Sequence, residues 1–437
     1  MFKIRPSLII LISFLVVIFV GTALLHLPLA SASGQPTDFI DAYFTANSAT
    51  CVTGLVVLDT GTYFSLFGLF VILVLIQIGG LGYMTFSTFL VLMFRRKMFI
   101  SEKLMIMEAL NIYSARDVIY VLRRIFSIVF IFEGIGAIIL FFRFLPELGF
   151  AKALLYGVFH SVSAFCNAGF SLPANYASLT AYAGDWVINL TITSLIIVGG
   201  IGFLVIADIL QFKRWSLHTK TVLAVTFFLI FAGTIIFFLT EYNNPFTIGG
   251  MPLAQKGLVS YFQAITPRTA GFNTISMNHI LGVTALFTIF FMFVGASPGG
   301  SGGGVKTTTF ILIFSTIWAT LRNSRDTVLF DRRIPAETVR RAFTITFLSI
   351  VVISVSTFLL NGTERFELMA IVFETFSAFG TVGLSMGITP YLTAIGKIII
   401  SVTMFIGRIG ALTLLLALTI EQKESSLELP KEGISIG

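Results

Sequence analysis

The chain has 437 residues, of which 56% are hydrophobic, 14% aromatic and only 11% charged, far outside the range of a soluble domain. Its formal net charge of +7 would suit an acidic partner, but 20 of its 28 Lys and Arg fall in five short segments: the N-terminus (Lys3, Arg5), 95–124, 213–220, 322–341 and the tail. That placement excludes a nucleic-acid-binding surface and reads as a topology signal, with both termini and the three basic linkers cytoplasmic.

In chain order, residues 8–29 come first, with a basic start and an apolar run. No small-residue cleavage site followed by a polar mature region is seen, so they are read as a retained span rather than a secretory signal. Further spans are expected at 66–94, 121–145, 187–211, 221–240, 281–314, 342–361 and 394–418. Between the members of each pair lie segments poor in basic residues and carrying Asp38, Asp41, Glu147, Asp185, Glu241, Glu364 and Glu367, each with a short half-apolar stretch. That stretch must enter from outside and return. The expected fold is an all-α membrane protein of four M1–pore-loop–M2 repeats, eight transmembrane helices around one pseudo-fourfold pore. Repeat 1 covers 1–94, repeat 2 121–212, repeat 3 221–318 and repeat 4 342–418. The linkers are 95–120, 213–220 and 319–341, and the tail is 419–437.

One glycine aligns the copies. Thr50-Cys51-Val52-Thr53-Gly54-Leu55, Phe165-Cys166-Asn167-Ala168-Gly169-Phe170, Pro267-Arg268-Thr269-Ala270-Gly271-Phe272 and Phe379-Gly380-Thr381-Val382-Gly383-Leu384 recur at intervals of 115, 102 and 112 residues. Ten positions before each glycine stands an aromatic residue: Phe44, Phe159, Tyr261 or Phe373. A second register begins at Gly79, Gly199, Gly295 and Gly407. A lone Gly-Leu or Gly-Phe pair means nothing in a membrane protein, where glycine serves close helix packing. Four in one register are a specific signal. Non-helical backbone at membrane depth is tolerated only where protein buries it or it lines an aqueous path. Four such segments can aim carbonyl oxygens at a common axis and replace the hydration shell of a cation. The carboxyl end of the short helix before each adds a favourable potential for a cation.

The third copy breaks its second span with Gly295-Ala296-Ser297-Pro298-Gly299-Gly300-Ser301-Gly302-Gly303-Gly304, then Val305-Lys306-Thr307. No ordinary helix passes through that run, which is expected to form a loop within the membrane. It is not a phosphate cradle, since Gly304-Val305-Lys306 misses the Gly-Lys-Ser/Thr spacing. A flexible gate and a passive break for packing are the readings that stay open. Arg408 stands where the first two copies have Gly80 and Gly200, and either faces the water-filled axis or a carbonyl-rich loop or reaches the inner interface. Arg268 either braces the filter from behind or pairs with an acid such as Glu374.

Other candidates are weak. Cys51 and Cys166 share one register, which suits filter supports better than a disulfide. His26, His160, His218 and His279 are scattered, with His160 expected to pack within its short helix, and no nucleophile–base constellation is present. The competing readings are a sodium-coupled or sodium-selective carrier, a polytopic membrane enzyme, for which clustered His, Asp or Glu are lacking, and a subunit without transport of its own.

These residues resemble the Trk/Ktr/HKT superfamily of potassium and sodium translocating proteins, and among them the membrane subunits of bacterial Ktr potassium uptake systems. The resemblance covers nearly the whole chain. It implies a filter of Val52, Thr53, Gly54, Asn167, Ala168, Gly169, Thr269, Ala270, Gly271, Thr381, Val382 and Gly383, in repeats each similar to a potassium-channel subunit. It implies an intramembrane gating loop including Gly295, Gly299, Gly300, Gly302, Gly303, Gly304 and Lys306, with Arg408 part of the barrier. It implies a potassium ion, with sodium as the alternative, as the transported species, no covalently bound cofactor, and nucleotide only on a partner subunit. That partner would be a KtrA-like cytosolic RCK ring, and the membrane subunit a homodimer in the plasma (bacterial inner) membrane. The sequence departs from the channel filter in having no second glycine after the aromatic position and no strict Thr-Val-Gly in every copy.

Overall fold

A computed structural model describes residues 6–82, 118–210, 215–324, 326–411 and 413. The expected tail, most of the linker 95–120 and the span ends at 83–94 and 414–418 lie outside the described residues. Apart from one-turn helices, the elements are α1 (Pro6–His26), α2 (Phe39–Thr50), α3 (Leu66–Leu81), α4 (Val118–Phe165), α5 (Trp186–Ile201), α6 (Phe203–Ile209) and α7 (Leu217–Glu241). They continue with α8 (Leu253–Ile265), α9 (Gly282–Phe293), α10 (Thr307–Leu321), a hairpin of β1 (Val328–Leu329) and β2 (Arg332–Arg333), then α11 (Ala336–Thr363), α12 (Leu368–Gly380) and α13 (Ala394–Ile409).

Local chemistry sets several starts. Asp38, Ser65, Asp185, Ser216 and Thr393 each accept from a backbone N–H in the first turn of α2, α3, α5, α7 and α13. Within α4, Gly149 (φ 72°, ψ 171°) follows Pro146 and divides a long helix from a short one that ends at Phe165. The linker 319–341 contains the β1–β2 hairpin, which its charge pattern did not foretell; Phe330 and Asp331 turn it in the left-handed region.

Among the described residues, α4 from Arg124, α7 and α11 are long and apolar enough to cross a hydrocarbon core, and α5 with α6 makes a fourth if that bent pair is one span. The bend is 97° and falls inside the span expected at 187–211. Its hinge is Gly202 at φ 98°, a backbone region that ends a helix. Gly82 and Gly410, at φ 79° and 92°, end α3 and α13 in the same way, three residues after Gly79 and Gly407.

Each later helix packs on the next unit: α3 on α4, α5 on α8, α9 on α12, and α13 back on α2, which closes the chain's end onto its beginning. Phe44, Phe159 and Phe373 are fully buried in this packing and Tyr261 is half-buried. Outward, Phe70, Phe227, Phe347 and Phe358 are 63% to 79% exposed. A belt of bare phenylalanine of that kind is covered by lipid, so the protein is membrane-embedded and multi-pass.

Candidate functional site

The four aligned glycines share one backbone. Gly54, Gly169, Gly271 and Gly383 lie at φ 90°, 72°, 77° and 91°, and the residue two before each, Val52, Asn167, Thr269 or Thr381, is also left-handed, at φ 57°, 57°, 65° and 50°. Left-handed backbone costs a β-branched residue about 1–2 kcal/mol, so its recurrence at one register is imposed by the surroundings. The glycines also meet. A Cβ on Gly54 would overlap Ala168 O, one on Gly169 would come within 2.8 Å of Ala270 O, one on Gly271 would overlap Val382 O, and one on Gly383 would overlap Thr53 O. The contacts run from first copy to second, third, fourth and back to first. All four glycines line one cavity of about 410 Å³, together with Asp59, Tyr176, Asn273 and Tyr391.

Hydroxyls hold these segments from behind. Ser48 Oγ accepts from Gly54 N at 3.1 Å and Ser377 Oγ from Gly383 N at 3.1 Å, while Ser163 Oγ donates to Phe170 O at 2.8 Å. In the third copy Ile265 takes that register, and Thr266 Oγ1 donates to Phe272 O at 2.5 Å. The sequence reading passed over these residues. The signal was there: serine six before the glycine in three of four copies.

The loop after α9 lies directly against the same segments. Gly295 N donates to Val305 O at 2.8 Å, closing its neck. Ser297 N and Ser301 N donate to Gly200 O and Gly199 O at 3.0 and 3.1 Å, and Phe203 N to Gly299 O at 3.0 Å. Gly300 packs on the Gly199 and Gly200 carbonyls, and a Cβ on Gly302 would overlap Thr269 Oγ1. Gly303 N donates to Thr381 Oγ1 at 3.0 Å, and Gly304 N to Gly407 O at 3.3 Å. Lys306 Nζ donates to Gly302 O at 2.6 Å. Arg408 donates from its two Nη atoms to Ser301 O in the loop and Gly79 O near the end of α3. It therefore meets the carbonyl-rich loop.

Asn167 is satisfied when its amide oxygen faces Thr269: the Thr269 hydroxyl then donates to it at 3.3 Å, and its NH₂ donates to the Ala164, Phe165 and Ile196 carbonyls. Val52, Thr53, Ala168, Ala270 and Val382 are fully buried. Arg268 does not pair with Glu374. Its Nη2 donates to Thr226 Oγ1 on α7 at 3.2 Å, and the Glu374 carboxylate accepts from the Ser385 and Thr389 hydroxyls instead. Cys51 and Cys166 are free and buried. Cys166 Sγ faces Glu133 Oε1 at 3.7 Å, which also accepts from Gln77 Nε2 at 3.1 Å. Glu133 went unnoticed in the sequence, although a lone carboxylate inside an apolar span was its signal.

The family described as TrkH, cation transport protein, matches residues 3–428. This chain belongs to that family. It is a family of cation transporters and not of enzymes, which removes the polytopic-enzyme reading. The TrkH-family chain is 43% identical to the Ktr system potassium uptake protein B of Bacillus subtilis, over 100% of its own length and 97% of that protein's. It is 37% identical to the potassium/sodium uptake protein NtpJ of Enterococcus hirae (100% and 98% covered), and 38% identical to the Ktr system potassium uptake protein B of Vibrio alginolyticus (93% and 90% covered). The crystal structure of the potassium transporter TrkH from Vibrio parahaemolyticus superposes with a TM-score of 0.74 at 18% identity, covering 93% of this chain and 84% of that one, which is a likeness of fold.

Proposed function

We propose that this TrkH-family protein takes up potassium through one pore built by four M1–pore-loop–M2 repeats and eight membrane spans, with the divisions set out from the sequence. The observation that carries this reading is the closed ring of left-handed glycines, each against the carbonyl before its neighbour's glycine, all lining one cavity. Such a ring offers carbonyl oxygens in place of a potassium ion's water. The residues of the filter are Val52, Thr53, Gly54, Asn167, Ala168, Gly169, Thr269, Ala270, Gly271, Thr381, Val382 and Gly383. Beneath them the loop 295–304 and Lys306 close the path, and Arg408 pins that loop to α3. All four glycines are present, which favours potassium over sodium.

The basic segments support cytoplasmic termini and linkers, in the plasma membrane. The chain works as a homodimer on a KtrA-like cytosolic RCK ring that carries the regulatory nucleotide. The test is reconstitution of the purified chain in liposomes, with rubidium uptake competed by potassium or sodium. Competition by potassium at much lower concentration than sodium is expected. Sodium competing equally would establish the sodium reading, and absence of any cation flux would overturn the pore.

A further inference from the structure

Leu172, three residues past Gly169, is gripped at both ends of its backbone by one face of the short helix after Gly149. Tyr156 Oη donates to Leu172 O at 3.1 Å, and Leu172 N donates to His160 Nε2 at 3.3 Å, one turn further on. His160 Nδ1 stands 2.8 Å from Tyr156 O. A carbonyl can only accept, so Nδ1 carries the proton; an amide N–H can only donate, so Nε2 is bare. The imidazole is thus neutral and held in one tautomer. Its ring is fully buried, with Phe144, Tyr156, Phe159 and Phe272 centroids 5.4 to 6.3 Å away.

What Leu172 carries is the outer mouth. Gly61 of the first copy packs on it so closely that a Cβ there would stand 2.7 Å from Leu172 C. Beyond it, Asn175, Tyr176 and Ser178 are all left-handed, at φ 61°, 54° and 49°. That strained loop reaches across to the first copy, with Asn175 N donating to Asp59 Oδ2 at 2.5 Å and Tyr176 Oη to Val57 O at 3.2 Å. Both Asn175 and Tyr176 line the cavity of the four glycines. The register of His160 is used again: Glu374, likewise nine before its glycine, accepts from Ser385 Oγ at 2.8 Å, and Gln263, one position on, donates to Thr274 Oγ1 at 3.3 Å.

Resting on the pore reading above, we propose that His160 is a positioning residue of the ion pathway, whose neutral imidazole clamps Leu172 behind Gly169 and whose protonation from the external side releases that clamp. A proton added at Nε2 sets one N–H against another, and the Leu172 hydrogen bond is lost. Of the rings around the imidazole only Tyr156 titrates. Further out stand Tyr182, packed on Phe144 and donating to Glu147, then Arg143, which pairs with Glu147, and Asp59 across the mouth.

His160→Gln keeps an acceptor for Leu172 N and cannot take up a proton, whereas His160→Phe fills the same cage with no acceptor. In liposomes, rubidium uptake by the unaltered protein is expected to hold from about pH 7.5 to about pH 5.5 outside and to fall several-fold only towards about pH 4, because burial among apolar rings disfavours the charged imidazole. His160→Gln should keep its neutral-pH uptake and potassium preference within about twofold and lose the acid step, while His160→Phe should lose about tenfold in potassium preference at neutral pH. Hydrogen exchange over 170–179 reads the clamp without transport and should quicken in His160→Phe only. Exchange and preference unchanged in His160→Phe would overturn the clamp, and an acid step retained in His160→Gln would overturn its release by protons. A chain that moves no cation fails the pore reading alone, because the exchange result still decides the clamp.

Discussion

At the scale of single residues, the glycine ring leaves no room for a side chain. Replacing Gly54 by Ser puts a Cβ onto Ala168 O and within 3.0 Å of Gly169 Cα, on a backbone of φ 90° that side chains resist. The neighbouring carbonyl must move, so discrimination of potassium against sodium should fall by about tenfold, read as sodium competition against rubidium uptake. Ser48→Ala removes the acceptor of a buried N–H, a loss of about 1–3 kcal/mol, and should weaken discrimination in the same assay without blocking insertion. Thr45→Val offers the contrast. The Thr45 hydroxyl is buried with no hydrogen-bond partner, so this change should leave selectivity intact and thermal stability equal or higher. Equal loss in both variants would show that Ser48 acts by bulk alone.

At the scale of elements, the loop between α9 and α10 is hydrogen-bonded to Gly199, Gly200, Phe203, Thr381 and Gly407, and Arg408, donating to both Ser301 O and Gly79 O, links it to α3. Replacing Arg408 by Ala, or deleting Gly302–Gly304, removes contacts on the loop and none of the Gly54–Gly169–Gly271–Gly383 approaches. Rubidium flux should therefore rise several-fold while the potassium-to-sodium preference stays within about twofold. Variants that insert normally and transport no faster would mean that the loop is packing and not a barrier.

At the scale of the whole molecule, the ring depends on closure between the last unit and the first. Lys397 on α13 pairs with Asp41 on α2 at 2.5 Å, with both side chains mostly buried. Removing one partner of a shielded pair strands the other, so Lys397→Met should lower the melting temperature of the detergent-solubilised protein by several degrees. Lys397→Met with Asp41→Asn should recover part of that loss, because no unpaired charge remains. Equal melting of all three proteins would assign closure to the apolar packing of α13 on α2.

Much of this was written in the sequence, and the reason is repetition. Four glycines at one register, each ten residues behind an aromatic, and a proline-glycine run that no helix tolerates are local statements that the bilayer makes unambiguous, since it forbids loose backbone elsewhere. The expectations tied to one copy at a time, Cys51 and Cys166 unpaired and a loop at 295–304, needed nothing more. What the sequence left undecided depended on which side chains from distant units share a space. Arg268 could have met Glu374, but Glu374 is taken by Ser385 and Thr389, and Arg268 turns to Thr226. Arg408 could have reached the interface, but the carbonyls of Ser301 and Gly79 converge on it. The 97° bend at Gly202 was hidden because a glycine inside an apolar run reads equally as helix packing or as a break. Only the loop pressed against Gly200 and Phe203 decides between them, and that contact joins units nearly a hundred residues apart in the chain.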